Sequence, residues 1–440
     1  MKSILVFVFA SLFTPCWLTA VANLLLVPQE YNTIQSGLSA AAAGDTVLVA
    51  AGTYYENIHF PALEVTLLSA AGPAVTIIDG NSDTHTVLFD QDQTGSTLLQ
   101  GFTICNGSAL LDESRFGGGI YCNRAAPTIR DNLITGNQAF LGGGICCYQS
   151  SATILNNTIS DNVASRGGGF YAFDSQPLLS GNIFDSNQCE GNGAGGGIAL
   201  EFTHATVERN FIRNNSALPG GGLICRFDSS SVRGNTIVAN SAAAGGGILC
   251  RYSNSLLERN IVSSNLGTAS GMASRMSLPR LSCNDIWGND GGDYWEGEDL
   301  GGNFSLNPLF CDLTGGDLRL QQESPCWTVD CGIIGASQQN CNGESTPQST
   351  SQPAVTELRP NYPNPFNPVT TLEFHLPAPQ SVRLEVWDLR GRLVALLAEG
   401  PYSSGLHRVR FEAHHLASGI YLYRLQCAGT TIERRMLLIK

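Results

Sequence analysis

Lysine is almost missing from this chain of 440 residues. It stands only at Lys2 and Lys440, so every internal cation is an arginine. Charged residues of all kinds make up only 14%, and the formal net charge is −13. A chain so poor in cations lacks the basic face that nucleic acid requires, so nucleic-acid partners are excluded. Past the N-terminus no apolar run reaches the roughly 18 residues that span a bilayer, so no transmembrane segment is expected. The sequence also has no phosphate-binding Gly-rich loop opening a helix, no His pair at helical metal spacing and no Ser elbow. No stretch within residues 117–265 has a helical apolar period.

What the chain has in excess is glycine, at 49 residues, and cysteine, at 14. So many cysteines suit an exported protein better than a cytosolic one. The N-terminus agrees. Lys2 precedes a mostly apolar run from Ile4 to Leu18, and Ala20-Val21-Ala22 has the A-x-A form of a cleavage site. Residues 1–22 are therefore expected to be a signal peptide.

The decisive feature is a repeat. Gly-Gly-Gly begins at Gly117, Gly142, Gly167, Gly195, Gly220 and Gly245, at spacings of 25, 25, 28, 25 and 25. Fifteen residues after each start stand Asn132, Asn157, Asn182, Asn210, Asn235 and Asn260. Five further on stand Asn137, Asn162, Asn187, Asn215, Asn240 and Asn265. A worn copy carries Asn284 and Asn289. Apolar residues keep the same phase, as in Ile120, Ile145, Phe170, Ile198, Leu223 and Ile248. Pairs two apart share a face, as in strands. A unit of this length cannot bury its apolar face alone, whereas stacked units about 4.8 Å apart form parallel sheets around a continuous core. The Asn columns are read as corner staples that tolerate left-handed backbone and bond between rungs. The fold class is thus all-β: a parallel β-helix of about 25 residues per coil, followed by a small antiparallel β-sandwich. The helix is placed at 23–341 and a Ser/Thr/Gln/Pro-rich linker at 342–360. The sandwich is placed at 361–440.

The triplets and Asn columns resemble the pectin-lyase-like family of right-handed β-helices over roughly residues 24 to 341. That resemblance implies a right-handed parallel β-helix with a short capping helix, here Thr33 to Ala43 stopped by Gly44. It also implies a closing segment from Asn303 to Cys341. Tail residues 361–440 carry nine Lys and Arg against six Asp and Glu, and residues 1–360 carry fifteen against thirty-one. The tail motifs are Asn361-Tyr362-Pro363-Asn364-Pro365-Phe366-Asn367-Pro368 and Ser418-Gly419-Ile420-Tyr421-Leu422-Tyr423-Arg424-Leu425. They closely resemble the type A C-terminal sorting domain of the type IX secretion system. This implies an immunoglobulin-like sandwich, outer-membrane secretion machinery as a partner, and release or display at the outer surface of a Gram-negative-type bacterium.

Candidate chemistry is thin. Glu208, Arg233 and Glu258 share a column thirteen residues after the triplets. They are either catalytic candidates or an alternating ion ladder whose pairs are each worth under about 1 kcal/mol. Asp290, Asp293 and Glu296, with Glu298 and Asp299 beside them, are a candidate Ca²⁺ cluster without calcium-loop spacing. No other cofactor is expected. Tyr148, Phe173, Phe202, Phe227 and Tyr252 fall six or seven residues after their triplets. They either form a sugar-stacking stripe or pack on one another. Cys311, Cys326, Cys331 and Cys341 are the disulfide candidates, and four cysteines allow three pairings. Cys122, Cys147, Cys225 and Cys250 are expected to be buried thiols. The leading functional expectation is a non-catalytic adhesin or glycan-binding protein. The alternative, a polysaccharide lyase or glycoside hydrolase, rests on fold analogy.

Overall fold

The computed structural model describes residues 22–110, 115–293, 297–327 and 331–343. In the tail it describes 356–358, 361, 366–376, 379–402, 405–427 and 430–438. The signal peptide expected at 1–22 and most of the linker lie outside these residues. The chain divides into two compact units, Met1–Glu344 and Ser345–Lys440.

The first unit is a coil of parallel strands. One turn runs through Ile145–Tyr148, Thr153–Leu155, Thr158–Ser160 and Val163–Arg166, then reaches Gly167 and starts again. Equivalent strands of successive turns stack into sheets of nine, twelve, ten and seven strands. Partners lie one coil apart, as in Ile145↔Phe170 and Phe170↔Ile198. The extra residues in the coil after Gly167 bulge out at Gln188–Ala194, so the register of the other sheets survives.

Alternation sorts the side chains. In the nine-stranded sheet Ile120 and Cys122 point into the main core, while Tyr121 points to the opposite face. That opposite face is also covered. Tyr121, Cys146, Tyr171, Ala199, Ile224 and Leu249 form a second apolar column packed against Phe116, Leu141 and Ala194. The four thiols expected to be buried are in the main core, and their column neighbours touch.

Each triplet needs glycine for two reasons. Gly142 has φ 68°, which suits glycine. A Cβ on Gly143 would lie 2.5 Å from the Val163 carbonyl oxygen, and one on Gly144 would lie 2.5 Å from that of Gly169. The asparagines make continuous amide ladders. The backbone N–H of Asn182 donates to Asn210 Oδ1 at 2.9 Å, and Asn182 Nδ2 donates to the same oxygen at 3.0 Å. The second Nδ2 proton goes to the Ile154 carbonyl at 2.8 Å. The ladder asparagines themselves are not left-handed. Positive φ falls on the residue before each, including Asp131, Asn156, Gly181 and Arg209. The amide must face inward to reach the next rung, and it is the preceding corner residue that turns the chain.

The N-terminal helix is shorter than expected. It covers Ile34–Ala40 and ends at Ala41, whose N–H bonds the Leu38 carbonyl, so Gly44 does not stop it. Thr33 and Ser36 form a reciprocal cap, and Glu56 accepts from the N–H groups of Ile34 and Gln35. Ile34 and Leu38 join the main core and close its mouth.

At the other end the disulfides are Cys283–Cys331 and Cys311–Cys341. Cys326, expected among the bridged cysteines, is a buried thiol, and Cys283 takes its place. Cys283 occupies a left-handed corner of a late rung, facing Cys331 across Gly302. Cys326 instead points inward and donates to Asp285 Oδ2 at 3.2 Å. In the second unit, antiparallel sheets of three and four strands enclose a separate core containing Phe366, Phe374, Tyr423 and Leu425. Here the two tail motifs meet: the Asn361 N–H donates to the Tyr423 hydroxyl at 2.9 Å.

Asn210→Ala removes the acceptor of the Asn182 N–H and of one Asn182 Nδ2 proton, and it removes the amide donor to the Leu179 carbonyl. We expect it to lower stability by about 2–4 kcal/mol, read as a fall in the denaturation midpoint. Burial raises the Asp285 carboxyl from 3.8 to about 6. Because the folded-state value is the higher one, the folded chain holds a proton that the unfolded chain has lost between pH 4 and 6. Stability from this group is present in full below about pH 4 and is lost as pH rises through about 6, by up to about 3 kcal/mol. Wild type should therefore gain thermal stability relative to Asp285→Asn as pH is lowered from 7 to 4. Parallel melting curves across that range would refute the assignment.

Candidate functional site

The Glu208–Arg233–Glu258 column is assembled in register, as its spacing required. Its contacts are two separate ion pairs rather than a continuous ladder. Arg233 grips Glu208 through Nε at 3.0 Å and Nη2 at 2.7 Å, while Glu258 pairs with Arg259 at 3.4 Å. Both carboxylates are thus engaged by arginines.

The acidic cluster serves the ladders. Asp293 accepts from the Asn289 N–H at 2.9 Å and from Asn289 Nδ2 at 2.8 Å, ending one amide column. Asp299 accepts from Asn303 Nδ2 at 2.6 Å and ends the other. Glu296 lies outside the described residues. Among those described, no group of three or more His, Cys, Asp or Glu is placed to hold a metal.

The aromatic residues do come together, but as two columns rather than one. Tyr148 and Phe173 occupy the last position of their strands, six residues after the triplet start. Phe202, Phe227 and Tyr252 occupy the next position, a left-handed corner with φ 54°, 49° and 53°. The rings still follow one another: Tyr148 to Phe173 at 5.4 Å, Phe173 to Phe202 at 5.5 Å, then Phe202, Phe227 and Tyr252 at 4.9 Å steps, nearly parallel. These steps exceed the roughly 3.5–4 Å of direct carbon contact. The steps match the spacing of the rungs, and the Phe173–Phe202 step is edge-on at 67° where the others are stacked. Phe202, Phe227 and Tyr252 are 48%, 39% and 40% exposed.

A left-handed corner costs a bulky residue about 1 kcal/mol relative to glycine. Earlier rungs fill the same corner with Arg124, Gln149 and Asp174, and later ones with Phe202, Phe227, Tyr252 and Met276. The strand-end column beside it changes in step. It reads Asn123, Tyr148, Phe173, then Glu201, Arg226, Arg251 and Arg275. Glu201 is buried, takes Arg166 and Arg226 at 3.3 Å each, and accepts from the Tyr171 hydroxyl at 3.2 Å. Burial, then the Glu201 charge, holds the Tyr171 phenol well above its ordinary value, so it remains a donor. Arg226 lies over the Phe227 ring at 5.3 Å and Arg251 over Tyr252 at 5.7 Å.

Glu201, Arg226, Arg251 and Arg275 escaped the sequence reading because positions six and seven after the triplet were pooled. Separated, position six reads Tyr, Phe, Glu, Arg, Arg, and that switch was the available signal.

With this geometry in view, the comparisons with known proteins take a definite place. The model of the right-handed β-helix region matches residues 77–201 and 143–304, which together span more than half of the chain, and the chain belongs to that family. Residues 361–440 match the secretion system C-terminal sorting domain. This type IX sorting tail implies interaction with that secretion machinery and indicates secretion or cell-surface attachment. No curated protein matches. A solved structure, the enzymatically active domain of tailspike protein 4 of Bacteriophage CBA120, is 11% identical with a TM-score of 0.21. That match covers 89% of this chain and 64% of the tailspike chain, and a likeness at this TM-score carries no argument. No helix among the described residues is long and apolar enough to cross a membrane.

If the charged column is no more than these ion pairs, Arg233→Ala should lower stability by under about 1 kcal/mol and leave any glycan binding unchanged. A loss of more than tenfold in binding or turnover would restore its candidacy as a catalytic or ligand-binding group.

Proposed function

We propose that this exported β-helix is a non-catalytic binding protein of the cell surface, and that its ligand is a glycan laid along the aromatic ridge. One observation carries the reading. Five rings follow one another on successive rungs, as two parallel stacks joined by an edge-on step between Phe173 and Phe202, and the last three are exposed at corners that disfavour bulky residues. Sugar rings bind aromatic rings through their apolar C–H surfaces, and the regular rung spacing suits a polymer running along the axis. The engaged state of Glu208 and Glu258 supports binding without turnover.

A panel of soluble glycans, neutral and acidic, tests both halves of this proposal. Binding without release of unsaturated or reducing ends is the expected result, and release of either sinks the non-catalytic reading. Tyr148→Ala with Phe173→Ala should weaken binding roughly tenfold or more, whereas the Arg233→Ala variant serves as the unaffected control.

A further inference from the structure

The last rungs of the ridge differ from the first. On the coils from Arg226 to Arg275 three arginines stack in register at the strand ends, about 4.8 Å apart. Like charges at that spacing repel unless something neutralises them. Arg226 is partly satisfied by Glu201. Among the described residues, Arg251 and Arg275 have no carboxylate partner, and the buried Nε atoms of Arg226 and Arg251 have no acceptor. In a chain of net charge −13, Arg251 and Arg275 thus form a local concentration of positive charge beside the Glu201-paired Arg226.

Beside it the corner column ends in Met276, 71% exposed, with Leu278 two residues on at 67%. Neither offers a ring face to a sugar. Phe227, Tyr252, Met276 and Leu278 share only apolar bulk and exposure, and three of them sit at left-handed corners. Exposed apolar tips flanked by long arginine stems match the chemistry of a surface seated in a lipid headgroup layer. There the tips enter the acyl boundary and the guanidinium groups remain among the phosphates. The sorting domain takes the chain to the outside of the cell, where a lipid surface is close at hand.

We infer that the ridge from Arg226 to Leu278 is a seating surface for an anionic lipid membrane, with Arg251 and Arg275 holding headgroup phosphates and Met276 and Leu278 entering the interface. The inference shares Phe227 and Tyr252 with the glycan reading but does not rest on it, because Arg251, Arg275, Met276 and Leu278 take no part in that reading.

Co-sedimentation of the mature protein with phosphatidylcholine vesicles, with and without phosphatidylglycerol, tests it. We expect at least tenfold tighter partition onto the anionic vesicles, weakening as salt rises from ~0.05 to ~0.5 M. Arg251→Gln with Arg275→Gln should reduce that partition about 30-fold, as two cations lost from an anionic surface imply. Met276→Ser with Leu278→Ser should reduce it severalfold at unchanged salt dependence. Unchanged melting midpoints show that the variants remain folded. Equal partition onto both vesicles, or indifference to both variant pairs, overturns the inference. Soluble glycan binding without vesicle binding overturns it while leaving the proposed function standing. Vesicle binding with no glycan binding does the reverse.

Discussion

The buried amide ladder is the interaction on which this molecule depends. Each ladder asparagine accepts from the rung before it and donates both to the next asparagine and to a carbonyl one coil back. Six or seven buried apolar side chains per coil, at no more than about 1.5–3 kcal/mol each, fall short of ordering some 25 residues at about 1–2 kcal/mol each. A lone coil therefore has no stability. The ladder makes each coil a template for the next and ties the corners to one register. The glycine triplet completes the constraint, because no other residue fits where the returning strand passes so close.

A register held so firmly inside leaves the outward corners free to vary. Residues at one corner can change from Arg, Gln and Asp to Phe, Phe, Tyr and Met without disturbing a core column. The ridge is built from that freedom. Its rings are positioned by the rungs beneath them rather than by any local fold, which is why bulky residues persist in left-handed backbone there. The buried Glu201 marks the switch between the ring-bearing strand ends and the arginine-bearing ones. It ties Arg166 and Arg226 to the Tyr171 hydroxyl, and so anchors the first arginine of the strip while the next two remain without carboxylates.

The two ends of the coil are finished differently. The capping helix closes one mouth with Ile34 and Leu38, and the closing segment lays Leu320, Cys326 and Ile334 against Ile261 on the outside of a late rung. At the capped mouth, unpaired strand edges are thereby protected from pairing with other chains. The tail keeps its own core, so the sorting domain is a compact unit separate from the coil.

Much of this was legible in the sequence because a solenoid repeats its physics every 25 residues. The triplets, the two Asn columns and the inward apolar positions each recur often enough to reveal the strand phase, and Asn361 with Tyr421–Tyr423 marked the sorting domain. Spacing also placed Glu208 beside Arg233. What spacing could not decide was direction in space. The preference of Cys326 for Asp285 over a disulfide, and the use of Cys283 instead, depend on which way the closing segment crosses the last rungs. The roles of Asp293 and Asp299 as ladder ends likewise appear only once the chain doubles back. The split of the aromatic stripe into two columns turns on one residue of register at a corner. A one-residue step reverses which face a side chain meets in a strand, and at a corner it separates a pleated position from a left-handed one. Sequence periodicity therefore determined the coil, while tertiary structure decided which corner residues stand exposed and which charges are left without partners.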